Sequence, residues 1–126
     1  MNQPNPQNDP REQIWGEHKE IIEQRLTALD PDLEHYIREF AYGTIYARGV
    51  LEPKIQELLA IVMLCALGNP TELKTHFRGA LNNGATELEV RETLLFAIPY
   101  LGFPRVIGAF AILQNVLEEQ KSYLNI

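Results

Sequence analysis

LCALGNPTELKTHFRGALNNGATELEV, Leu64 to Val90, decides the fold. A Gly68-Asn69-Pro70 break stands in front and an Asn82-Asn83-Gly84 stop behind. Between them Leu73, His76, Phe77, Ala80 and Leu81 recur at i, i+3, i+4, i+7 and i+8, the spacing of one buried helical stripe. Gly84 suits a left-handed cap at the end of that helix. Thr86 and Glu89 then have the spacing of a capping box that starts the next one. His76 is the one titratable group on the apolar stripe.

Outward from this stretch the chain keeps the helical beat. Arg11 to Ala28 carries Ile14, Trp15, Ile21, Ile22 and Leu26 between charges. Asp30-Pro31 starts a helix to about Tyr46, with proline in the first turn, where its missing N–H costs nothing. Arg48-Gly49 ends it. Glu52-Pro53 starts a third helix that is apolar on all faces from Leu58 to Leu67, which predicts a central, buried position. The helix after Gly84 carries Val90, Leu94, Leu95 and Ile98 and reaches Pro99, where it must kink or end. Beyond the Gly102-Phe103-Pro104 break, a last helix runs from about Arg105 to Tyr123. No stretch alternates with period two for long. The expectation is an all-α domain of about six helices over residues 11–126, preceded by a flexible tail, residues 1–10, with three prolines and three asparagines.

The bulk numbers limit the function. The chain has 126 residues, 45% of them hydrophobic, and a formal net charge of −6. That balance argues against nucleic acid, which needs clustered Lys and Arg, and against an anionic membrane surface. A compact anionic substrate remains compatible, because local charge in a cleft outweighs the total. Cys65 is the lone cysteine, so no intrachain disulfide forms and a reducing cytoplasm is the simplest compartment. No secretory pattern opens the sequence, and the run from Leu58 to Gly68 is too short to span a bilayer. The third, fifth and sixth helices carry more apolar surface than a domain of this size buries alone, which predicts a homo-oligomer.

Two residues stand out chemically. His76 reads either as a core histidine bonded to a carbonyl or water, or as an acid–base group tuned by burial. Glu57 follows Pro53 by one turn and shares a face with Ile61 and Leu64. Its plain role is to favour the helix dipole. A half-buried glutamate would instead hold its proton toward neutral pH. His18, His35 and His76 lack metal-ligand spacing, so no metal is expected. Cys65 reads as a small buried hydrophobe. No glycine-rich phosphate loop is present. Arg48, Lys54 and Arg105 each follow a turn, where a cation either is solvated or points into a cleft.

These marks resemble the carboxymuconolactone decarboxylase family, within the alkyl hydroperoxidase D-like superfamily. They are Glu57 before the apolar helix, His76, Ala80-Leu-Asn-Asn-Gly84, Thr86 with Glu89, and Tyr100-x-Gly102-x-Pro104. Gly43-x-x-Tyr46 and Leu51 also fit, and the similarity covers roughly residues 35 to 118. The resemblance implies a helical fold with a central antiparallel pair, assembled into trimers or hexamers. Peroxidase members carry Cys-x-x-Cys-x-x-x-His; here those cysteine positions are Asn69 and Glu72. Thiol peroxidase chemistry needs both thiols, so the decarboxylase branch is the better match.

The resemblance further implies cofactor-free decarboxylation of a small carboxylated lactone, as in protocatechuate breakdown. The lactone is its own electron sink, so no cofactor is expected. In that scheme His76 donates the proton and Glu57 orients it. Arg48 and, less centrally, Arg105 hold a carboxylate, while Trp15, Tyr46 and Tyr100 wall the pocket. Phe96 and Pro99 depart from the family pattern near the expected pocket mouth, which opens the substrate to change. The competing expectations are a related enzyme acting on another small acid, and a non-catalytic helical oligomer that binds a ligand.

Overall fold

The structure, a computed structural model, describes residues 9–124. It is all-α, in six helical runs that follow the expected order. The elements are α1 (Pro10–Trp15), α2 (Lys19–Leu29), α3 (Pro31–Tyr36), α4 (Pro53–Leu67), α5 (Pro70–Asn82), α6 (Glu87–Leu101) and α7 (Phe103–Leu124). Among the described residues there is no strand, and no helix is long and apolar enough to cross a membrane. The expected tail, residues 1–10, lies outside the described residues up to position 8. Asp9 caps α1 by accepting from the Arg11 amide, and Pro10 opens the helix.

Helices α4 and α5 pack against each other as the central antiparallel pair, with α6 and α7 closing one side. The main core joins Ile61 and Cys65 of α4, Phe77 and Ala80 of α5, Leu94 of α6 and Leu113 of α7. A second core joins Ile14, Trp15, Ile22 and Leu26 to Tyr42. The expected capping box is present: the Glu89 amide donates to Thr86 Oγ1 and the Thr86 amide to Glu89 Oε1, each at 3.0 Å. Gly84 takes φ +93° after α5, the left-handed exit that glycine permits.

Three local expectations change. The first helical run breaks at Gly16, whose φ of +53° no ordinary helical residue adopts, and a 3-10 turn joins α1 to α2. The break lets Ile14 and Trp15 turn inward while Ile21 stays exposed. The second run widens into π-helical turns over Ile37–Ile45 before ending in a 3-10 turn, Tyr46–Arg48. Pro99 does not end α6, which continues to Leu101. Proline that close to the C-terminus disturbs only the last turn.

Helix α4 is not buried on all sides of a single chain. Glu57, Ile61 and Cys65 face inward, whereas Ile55, Leu59, Met63 and Leu67, at i, i+4, i+8 and i+12, are exposed. Phe96 and Tyr100 on α6, and Phe103 and Ile107 on α7, are exposed as well. One flank of α4 packs on α5, and among the described residues no element covers its opposite stripe.

Candidate active site

The site forms where α4 and α5 come closest. Gly79 on α5 is buried, and a Cβ there would collide with Glu57 Oε1 and lie 2.9 Å from Ile14 Cγ2. The absent side chain is what lets the Glu57 carboxylate lie between the helices. Glu57 is fully buried. Its Oε1 lies 2.8 Å from His76 Nδ1, and its Oε2 accepts a hydrogen bond from the Tyr46 hydroxyl at 3.0 Å. Both carboxylate oxygens are thereby partnered, which offsets the cost of removing them from water. Among the described residues, no fully buried side-chain nitrogen or oxygen lacks a partner.

Tyr46 is held by its own neighbours. Its ring stacks on Tyr42 at 4.4 Å and 11°, and Trp15 meets Tyr42 edge-on at 4.8 Å. The Gln56 side chain donates to the Tyr46 carbonyl at 3.1 Å. Burial raises the Tyr46 phenol well above its ordinary range, and the Glu57 charge raises it further. Tyr42 is raised in the same way, first by burial and then by Glu57. Both phenols stay protonated, and Tyr46 is a fixed donor to Glu57.

These shifts carry a pH prediction. Below about pH 10 the phenols are protonated both folded and unfolded. Above it the unfolded phenols ionise while the buried ones do not, so stability falls as pH rises. The buried Cys65 thiol, also raised by burial, acts with the same sign. Urea unfolding should show wild type losing stability between pH 8.5 and 10.5. The Tyr42→Phe/Tyr46→Phe double variant should lose less across that interval; equal losses would contradict the shifts.

His76 presents an edge to solvent. It lies on the expected stripe with Leu73, Phe77 and Ala80, all buried, and its side chain is 10% exposed. With Nδ1 facing Glu57, Nε2 is the ring atom that addresses the outside. Glu72, one turn earlier on α5, places Oε2 at 3.9 Å from Nε2. Its Oε1 is 3.6 Å from Arg25 Nη2 on α2. Glu72 and Arg25 were not among the residues expected at the site. The i, i+4 spacing of Glu72 and His76 is the signal that marks the first; nothing local marks the second.

The remaining expected residues are dispersed. Trp15 is buried behind the tyrosines, one ring removed from Tyr46. Arg48 is exposed two residues after Tyr46, in the turn that leads to α4. Arg105 extends its guanidinium over Gly68, where a Cβ would strike it. That is eleven residues along α4 from Glu57, roughly 16 Å of helix rise. Tyr100 is exposed on α6 beside Phe96. Within one chain, Glu57, His76 and Tyr46 are brought together; Arg105 and Tyr100 are not. At the two positions where peroxidases carry cysteine, Asn69 caps α5 by accepting from the Glu72 amide at 3.1 Å, and Glu72 faces His76.

The arrangement can hold and move a proton. A buried carboxylate orients an imidazole through Nδ1, and the outward Nε2 accepts or donates at the surface. Among the described residues no cluster of three or more His, Cys, Asp or Glu side chains is arranged to hold a metal ion.

The family model for the carboxymuconolactone decarboxylase family matches residues 31–115. A nitrosuccinic acid decarboxylase from Metarhizium robertsii is 34% identical over 106 residues, covering 84% of this chain and 74% of that protein. A 4-carboxymuconolactone decarboxylase from Acinetobacter baylyi is 31% identical over 110 residues, covering 86% and 82%. With a matching model over most of its length and two decarboxylases similar along most of theirs, the chain belongs to the carboxymuconolactone decarboxylase family.

Proposed function

We propose that the protein decarboxylates a small carboxylated acid whose own structure accepts the electrons, with 4-carboxymuconolactone of protocatechuate breakdown as the leading substrate. The observation that carries this reading is the Tyr46–Glu57–His76 chain, closed toward the protein and open at one imidazole nitrogen. Breaking the bond to the carboxylate releases CO₂ and leaves an electron pair, which delocalises into the lactone carbonyl as an enolate. Protonation from His76 Nε2–H then completes the product. Glu57 holds the imidazolium through Nδ1 and so lowers the cost of its positive charge before transfer. Solvent returns the proton to Nε2. A substrate that is its own electron sink needs no cofactor.

Arg48 remains the proposed holder of one carboxylate, since it lies close in sequence to Tyr46 and is exposed. Arg105 and Tyr100 enter this reading only through assembly. We take the exposed apolar stripes of α4, α6 and α7 as surfaces covered by further copies of the chain, in a trimer or hexamer.

Nitrosuccinic acid is the second substrate, favoured by the similar Metarhizium robertsii enzyme. It obeys the same logic: a carboxylate beside a nitro group leaves its electron pair as a nitronate, which takes a proton. The test is CO₂ release by purified protein with each of the two compounds. Turnover with either one supports the reading and selects the substrate. No release from both would sink these two substrates together.

A further inference from the structure

Glu57 occupies Nδ1, so a ligand meets His76 at Nε2. The Glu72 carboxylate stands before it, 3.9 Å away by one oxygen, while its other oxygen is 3.6 Å from the Arg25 guanidinium. One carboxylate thus bridges an arginine and the imidazole edge. Neither contact has hydrogen-bond length. Both side chains are well exposed, 43% for Arg25 and 38% for Glu72, and exposed pairs of this kind bind weakly.

We propose that Arg25 is a carboxylate-binding residue of this site, and that Glu72 holds the place of a ligand carboxylate in the free protein. A small dicarboxylic acid would put one carboxylate between Arg25 and His76 Nε2, where that of Glu72 now lies. The guanidinium binds the incoming group through two parallel N–H donors, which the loose contact with Glu72 does not use. Glu72 swings into solvent, as a half-exposed side chain on a helix surface can. Its charge disfavours any anion that fails to engage Arg25, so the pair selects for carboxylates that reach the guanidinium. This inference rests on the acid–base reading of Glu57 and His76. Arg25 lies on α2, before the family-matched residues 31–115, so in this reading α2 takes part in selecting the substrate.

The test is a titration of the full-length protein with succinate, and with neutral succinamide as control, at constant ionic strength. The His76 ring resonances are followed by NMR. Wild type should shift with succinate and not with succinamide. Glu72→Gln should bind succinate about 3- to 10-fold more tightly through loss of a competing charge. Arg25→Gln should bind it about 10-fold or more weakly, with Arg25→Lys between, since lysine keeps the charge and loses the fork. In turnover assays Arg25→Gln should raise KM more than it lowers kcat. Melting temperatures should not move, as both side chains are exposed. Equal succinate affinity in wild type and Arg25→Gln, weaker binding in Glu72→Gln, or no response in any form would overturn the proposal. The two readings fail separately. Absent turnover with an Arg25-dependent succinate response removes the substrates and keeps the subsite. Turnover that is indifferent to Arg25 removes the subsite and keeps the reaction.

Discussion

Glu57→Gln should lower kcat about 10²- to 10⁴-fold, the range for loss of a positioned acid–base group. The substitution keeps the shape of the side chain and an oxygen for the Tyr46 hydroxyl. What it loses is the negative charge against His76 Nδ1, 2.8 Å away. An amide in that place cannot stabilise an imidazolium, so the proton donor is lost although the ring remains. His76→Gln should cost a similar factor. The double variant should be little worse than either single one, because two parts of one relay are not additive. Glutamine is the informative replacement. Removing His76 altogether would leave a fully buried carboxylate short of one partner and lower stability by about 3–5 kcal/mol, mixing unfolding with lost chemistry. Steady-state kinetics on whichever substrate turns over, with melting temperatures alongside, reads the effect. Full turnover in both single variants would remove the relay from the mechanism.

Gly79→Val should destabilise the protein by about 3 kcal/mol, at the upper end of overpacking costs. For a chain of this length that is a melting temperature lower by on the order of 10 °C. Helix propensity argues the other way, since any replacement of a mid-helix glycine gains up to about 1 kcal/mol. Here packing outweighs it. The first atom added would strike Glu57 Oε1 and crowd Ile14, both of them almost fully enclosed. The control is Gly108→Ala on α7, where nothing lies within 4 Å of an added Cβ. It should stabilise by up to about 1 kcal/mol. Calorimetry of both variants decides the matter: a Gly79→Val protein that melts no lower than wild type would mean the α4–α5 approach is not set by Gly79.

What could be read from the chain divides by distance along it. Helix starts and stops are local. Asp30-Pro31, Thr86 with Glu89, and Gly84 act within a few residues, and each caps where expected. The stripe of α5 was equally legible, because periodicity alone sends His76 inward with Phe77 and Ala80. The partner of His76 was named only by the family resemblance, which pairs it with Glu57. A carboxylate nineteen residues away is joined to it only by helix packing, and the small residue that permits the contact, Gly79, is silent as a pattern. The hydrogen bond from the Tyr46 hydroxyl to Glu57 was not read from the chain, nor were the π-helical turns that precede Tyr46, whose wider pitch no hydrophobic count reveals. The apolar run of α4 marked a helix buried on all faces, while the described residues of a single chain leave Ile55, Leu59, Met63 and Leu67 exposed.

The second core has a consequence for how this protein can be taken apart. Ile14, Trp15, Ile22 and Leu26 precede the family-matched residues, yet they are the floor on which Tyr42 and Tyr46 rest. The matched portion is therefore not a self-sufficient module. Cut at its boundary, it would keep both ends of the Glu57–His76 bond and lose the scaffold that steadies them. The Glu57–His76 bond and the means of holding it sit on different stretches of polypeptide, so a transplant of the pair into another framework must bring α1 and α2 along.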